Sequence, residues 1–311
     1  MKDRRPITVV LPIRPEEDNE DACELLRAVA VPRATTLKRV YVSKPVAVDG
    51  HPVETELAAS DRFRREGIPF ERLGFWVESE ILKGDPASEV LDQIELSHAD
   101  LAVVRARRDE AEDARLGGMA SALLYRAACP VFVHWNVSPG YEIHRILVPT
   151  DFSKGSRAAG DWGFALAEAL GAELHLLHVR IPGQNQGKER ESGFEQATRE
   201  IARWRGEWNP RFLRPVTDFD LVTDEENVAE GILKFAEDLR FDLVVISTSA
   251  RSSTWAWLLG STAREVFQWS RCPVLALPNS NRVSAGSYLS KLASAASGGR
   301  PRPTSRLRAE R

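Results

Sequence analysis

A glycine that opens a helix, followed twelve residues later by a Cys-Pro pair and an apolar strand, occurs twice in the 311-residue chain. The second copy reads Leu259-Gly260-Ser261-Thr262-Ala263-Arg264, then Arg271-Cys272-Pro273-Val274-Leu275. The first reads Leu116-Gly117-Gly118-Met119-Ala120-Ser121, then Ala128-Cys129-Pro130-Val131-Phe132. A pattern used twice marks a duplicated α/β unit, with one inherited ligand site per copy, kept or lost. Gly260-Ser261 suits either a phosphate-binding turn or a helix start capped by serine. Asp151, closing the run Ile146-Leu147-Val148-Pro149-Thr150, is either a ligand contact or a turn-capping carboxylate.

Bond-breaking constellations do not emerge from the remaining residues. His175 and His178 stand three apart on one strand and so face opposite sides of it. His51, His98, His134 and His144 are scattered, with no Cys, Asp or Glu at metal-ligand spacing. There is no Ser-His-Asp pattern and no nucleophile elbow. Asp109, Glu110, Glu112 and Asp113 cluster on a charged loop, a pattern that serves solubility more often than acid–base work. Cys23, Cys129 and Cys272 form no CxxC, and two of them open matching apolar strands. Buried structural thiols in a reducing compartment are expected.

The elements that must position these residues alternate strand and helix. In the second copy Arg145–Asp151 is a strand and its turn, Ser153 caps a helix, and Gly171 stops it. Glu173–Val179, Phe219–Val222, Asp242–Ile246 and Val274–Leu277 follow as strands. In the first copy Val9–Pro12, Arg39–Val42, Phe75–Val77, Asp100–Val104 and Val131–Val133 take the same places, and Pro86 suits the first turn of a helix. Short apolar strands between helices predict a parallel, doubly wound sheet. Ligands on such sheets bind at the carboxyl ends of the strands, where the strand order reverses. That places Asp151 beside the loop after the fourth strand.

Length allows two domains, 1–138 and 141–278, joined by a turn-forming linker near Asn136–Gly140. Seven basic residues and one acidic residue fall in 279–311. This stretch, rich in Ser, Ala, Gly, Pro and Arg, is expected to be a disordered basic tail. The rest of the chain is acidic, so nucleic acid is not an expected partner. No apolar run is long enough to span a membrane, and no signal peptide is evident at the start, so a cytoplasmic protein is expected.

These residues resemble the universal stress protein family in a tandem arrangement. The resemblance rests on Ile146–Ser153, on Gly171-Ala172-Glu173-Leu174 with Leu177-His178-Val179, and on Leu258-Leu259-Gly260-Ser261 with Cys272-Pro273-Val274. Gly84-Asp85-Pro86 and His98-Ala99-Asp100-Leu101 carry it in the first copy. It implies two doubly wound, Rossmann-like units of the adenine-nucleotide-hydrolase type, each with five parallel strands in the order 3-2-1-4-5.

Family members divide into those that bind ATP and those that do not. In binders an acidic residue after the first strand meets adenine, and a G-x-x-G loop, then nine residues, then G-[S/T] cradles ribose and phosphates. The resemblance places nucleotide contacts at Pro149, Thr150, Asp151, Val179, Ser247, Ser249, Ala250, Arg251, Gly260, Ser261 and Thr262. Ser247 and Ala250 replace the opening glycines. If the backbone at Ser247 must be left-handed, its Cβ costs about 1 kcal/mol. Trp255 and Trp257 add bulk to the loop. The first copy has Arg14 in place of the carboxylate, and its loop from Arg105 to Asp113 lacks glycine.

The expected function is that of a non-enzymatic stress-response protein with a weak or vestigial ATP site in the second unit. A ligand-free protein-interaction module is the alternative, and an ATP-hydrolysing or adenylate-transferring enzyme ranks last. The last strands of the two units, Val131–Val133 and Val274–Leu277, are expected to pair as an internal pseudo-dimer. A homodimer stays open, as do the stress and the partner.

Overall fold

Runs of Val, Ile and Leu four to nine residues long are too short for buried helices and form strands. The computed structural model describes residues 6–14, 19–30, 32–43, 63, 65, 67–106, 117–135, 137–181, 199–204, 206–207, 216–222, 227–248, 260–278 and 281–296. These residues divide into two units. The first holds 6–106, 117–141 and 281–296, and the second holds 142–278.

In the first unit β1 (Ile7–Pro12), β2 (Thr35–Ser43), β3 (Trp76–Lys83), β4 (Leu101–Arg105) and β5 (Val131–His134) form the strands. All pair in parallel, in the order β3-β2-β1-β4-β5. The helices are α1 (Glu20–Val29), α2 (Ile68–Arg72), α3 (Pro86–Leu96) and α4 (Gly118–Arg126). Val9, Val10, Leu37, Leu101, Ala102 and Val103 are wholly shielded from solvent, as a sheet covered on both faces requires. Asp85 caps α3, accepting from the amides of Ala87 and Ser88, with Pro86 in the first turn. The third strand is longer than its apolar core, because polar residues such as Glu78 and Glu80 alternate with Val77, Ser79 and Ile81 along an edge.

The second unit repeats the plan. Its strands are β6 (Arg145–Pro149), β7 (Glu173–Arg180), β8 (Val216–Val222), β9 (Leu243–Ser247) and β10 (Val274–Leu277). They are parallel, in the order β8-β7-β6-β9-β10. Counted within each unit, both orders are 3-2-1-4-5, as the duplicated pattern predicts.

Its helices include α5 (Lys154–Leu170), α6 (Val228–Asp238) and α7 (Ser261–Trp269), and residues 199–204 and 206–207 are helical as well. The Ser153 hydroxyl accepts from the Ser156 amide and starts α5; Gly171, at φ 68°, ends it. Gly163 sits where α5 crosses β6. A Cβ there would lie 2.5 Å from Val148 Cγ2, so the close approach depends on its absence.

The disordered-tail expectation is corrected in part. Ala285–Ala296 forms a helix, α8, and belongs to the first unit. Its Tyr288, Lys291 and Leu292 are buried. Spacings of three and four residues put these side chains on one helical face, so a segment of polar composition still has something to bury.

Candidate functional site

The order 3-2-1-4-5 reverses direction between its first and fourth strands, and in the second unit these are β6 and β9. Helices leave the sheet on opposite faces on either side of this point, which opens a crevice at the carboxyl ends. Pro149 ends β6, and Thr150, Asp151 and Phe152 form the turn beyond it.

Thr150 is almost fully buried and is held through every polar group it has. Its amide donates to the Leu177 carbonyl at 2.8 Å, and its own carbonyl lies 2.9 Å from His178 Nδ1. Its hydroxyl meets Ser156 Oγ at 3.1 Å and accepts from the Phe152 amide at 3.0 Å. Asp151 Oδ1 accepts from the Ser153 amide at 3.0 Å, an Asx turn that leads into the Ser153 cap. Phe152 has φ 61°, and its ring lies 4.8 Å from His178 and 6.1 Å from Trp204.

On the other side of the crevice Ser247 closes β9 and Thr248 follows, buried, with its amide donating to Leu277. The Gly260 amide donates to the Thr248 carbonyl at 3.2 Å, which ties the start of α7 to the end of β9. Gly260 occupies the cap position, Ser261 is the first helical residue and is exposed, and Thr262 follows. The capping-serine reading of Ser261 therefore fails: its hydroxyl comes one residue too late.

Pro149, Thr150 and Asp151 thus stand at one strand end, and Ser247 with Gly260, Ser261 and Thr262 at the next. Val179 lies further out, buried on β7. Ser249, Ala250 and Arg251 lie outside the described residues, as do Trp255 and Trp257. The strain expected at Ser247 is also corrected. Among the described non-glycine residues only His98, Phe152 and Arg240 have positive φ, and Ser247 keeps ordinary strand geometry.

The first unit fills the corresponding place differently. Ile13 donates to the Val40 carbonyl as Thr150 does to Leu177, and the next residue is the exposed Arg14 rather than a carboxylate. Arg105, at the end of β4, pairs with Asp21 of α1 at 3.3 Å, and His134 Nδ1 lies 3.4 Å from the same carboxylate. Burial works against the charge on Asp21, but His134, Arg105 and the Ala22 amide outweigh it and lower the pKa of the acid. No three His, Cys, Asp or Glu side chains among the described residues are placed to hold a metal ion. Nor is any described helix long and apolar enough to cross a membrane. Burial pushes the Cys272 thiol up to about 11 and the Cys129 thiol higher still, so neither is a thiolate near neutral pH.

The universal stress protein family matches residues 8–134 and again 142–278. The chain belongs to this family. A universal stress protein of Methanocaldococcus jannaschii is 27% identical over 136 residues, which are 42% of this chain and 79% of that protein. Two solved structures share the fold along most of the chain. One, a universal stress protein from Archaeoglobus fulgidus, has TM-score 0.63 at 19% identity, covering 88% of this chain and 98% of its own. The other, a putative universal stress protein from Pseudomonas aeruginosa, has TM-score 0.64 at 17% identity, covering 94% and 99%.

The motif reading includes Asp100 and Asp242 of this universal stress protein but not what their carboxylates hold. Asp242 precedes β9 and accepts from the amides of His144 and Arg145, both at 2.8 Å. Asp100 precedes β4 and accepts from the Thr8 amide at 3.0 Å. The repeated Asp-Leu at the head of each fourth strand was the available signal. The other unforeseen group, Asp21–His134–Arg105, has none, because its members lie far apart in sequence.

Proposed function

We propose that this universal stress protein is non-enzymatic and cytoplasmic, with a weak adenine-nucleotide site in the second unit. The carrying observation is the juxtaposition of the Asp151 turn and the Gly260-Ser261 helix start at neighbouring strand ends. A carboxylate that can accept from an amino group, set against the amino end of a helix, suits an adenine at one end and phosphates at the other. Of the two replaced opening glycines, Ser247 keeps ordinary strand geometry, so the argument for reduced affinity rests on Ala250. The first unit serves as a structural partner, since Arg14 replaces the carboxylate and Arg105 is engaged by Asp21. In this reading β5 and β10 join the units as an internal pseudo-dimer; each is the last strand of its unit's order, and an edge strand calls for a partner.

Mass spectrometry of small molecules released from the purified protein, followed by ATP titration calorimetry, tests the reading. An adenine nucleotide released or a saturable heat supports it. No nucleotide and no heat from a folded sample rejects it. A second reading, a ligand-free interaction module, is favoured by the Asx turn, because Asp151 already has a structural task there.

A further inference from the structure

The carboxylates at the heads of β4 and β9 are equivalent by position but not by partner. Asp242 takes two main-chain amides from its own unit's first strand and its approach. Asp100, 4% exposed, takes one such amide and then the ammonium of Lys291, at 2.7 and 2.8 Å from its two oxygens. Lys291 is itself only 8% exposed. It lies 191 residues from Asp100 in sequence and on the far side of the second unit in chain order.

Two further anchors hold the same segment. The Tyr288 hydroxyl donates to the Val29 carbonyl at 3.2 Å in a buried setting, and the Arg282 amide donates to the Ala128 carbonyl at 2.8 Å. The segment is preshaped for the task. Asn281 and Val283 exchange two hydrogen bonds, and the Ser284 hydroxyl accepts from the Ser287 amide at the start of α8.

We propose that residues 281–296 are a strap that the first unit binds as a ligand, keyed by the Lys291–Asp100 ion pair. The receiving surface selects a helix with tyrosine, lysine three residues later and leucine next, the face presented by Tyr288, Lys291 and Leu292. All three anchors are polar, and polar anchors fix register more than they drive association. The seam is not sealed. A cleft of about 200 Å³ runs beside the ion pair, between Pro6, Thr8 and His98 on one side and Arg282, Ser284 and Ser287 on the other. The open seam gives solvent a path to the polar anchors, and in this proposal the strap exchanges between bound and released states.

The test uses the full chain with a specific protease site inserted after Ser280, cut once the protein is folded. The wild-type fragment should stay with the body on gel filtration and leave on dilution with a measurable Kd. Lys291→Met should raise that Kd at least about tenfold, because it strands a buried carboxylate. Asp100→Asn added to Lys291→Met should recover part of the loss. In the uncut chain, Lys291→Met should speed amide hydrogen exchange over 285–292 and leave the second unit unchanged. Separation of the wild-type fragment immediately on cutting overturns the proposal. So does an equal Kd, or equal exchange, for wild type and Lys291→Met.

Discussion

His178 Nδ1 lies 2.9 Å from the carbonyl oxygen of Thr150, so the ring of one strand steadies the turn that ends its neighbour. Only a protonated Nδ1 can donate to a carbonyl, which fixes that ring nitrogen as the donor. The Asp151 turn is therefore shaped by Thr150 and its partners before Asp151 itself contributes. Thr150→Val would leave the Phe152 amide and the Ser156 hydroxyl without this partner. Unfolding in urea should show a loss of about 1–3 kcal/mol. ATP affinity should fall with it, and wild-type stability in the variant would refute this account of the turn.

Asp151→Ala should weaken ATP binding, whereas Arg14→Ala should leave it unchanged. Each residue follows the first strand of its unit, but only the second unit pairs that position with a Gly-Ser helix start. Calorimetry that finds equal losses in the two variants would place the nucleotide in both units or in neither.

Ser247→Gly alone should bring no gain in ATP affinity. The residue already has strand geometry, so glycine relieves no left-handed strain there. A severalfold tightening in this single variant would mean that the Ser247 side chain itself obstructs the ligand.

His175 contributes a pH dependence that sets in below pH 6.5. Burial lowers its pKa below 6.5, against the opposing pull of Glu173, and its ring packs edge-on against Phe241 at 5.0 Å. The unfolded chain then takes up the proton at higher pH than the folded chain does. The stabilisation is complete above pH 6.5 and is lost as pH falls from there through the lowered folded value. Thermal midpoints for wild type and His175→Gln, compared from pH 7.5 down to 5, should show the steeper fall in wild type. Parallel curves would assign the acid sensitivity elsewhere.

Gly163→Ala should destabilise the protein by about 1–3 kcal/mol, as overpacking does. The new methyl meets a β-branched valine on the strand below, which has little freedom to turn away. Equal urea midpoints for the two proteins would show that α5 can lift off β6 at no cost.

Much of the fold was legible because its signals are local. Ser153, Gly171 and Asp85 each act within a few residues, and the two Gly-to-Cys-Pro spacings fixed matching strands. The site was legible in part for the same reason: Asp151 and Gly260 sit at element ends that the pattern marks. The strap was not. A lysine in a Ser- and Ala-rich segment reads as solvated, and only the carboxylate of a distant strand makes its burial tolerable. Nor does a sequence carry backbone torsions, so strain at Ser247 could be supposed from the motif and then found absent.

The strap also sets an order of events during synthesis. The first unit begins to emerge before the second, yet it lacks Lys291 until 191 residues after Asp100 have been added. At ribosomal speed that interval is roughly 10–40 s. The second unit can close as soon as its own strands are out. The unit made first is thus the last to be finished, and for that interval the nascent chain carries a carboxylate at the head of β4 with no ammonium to meet it.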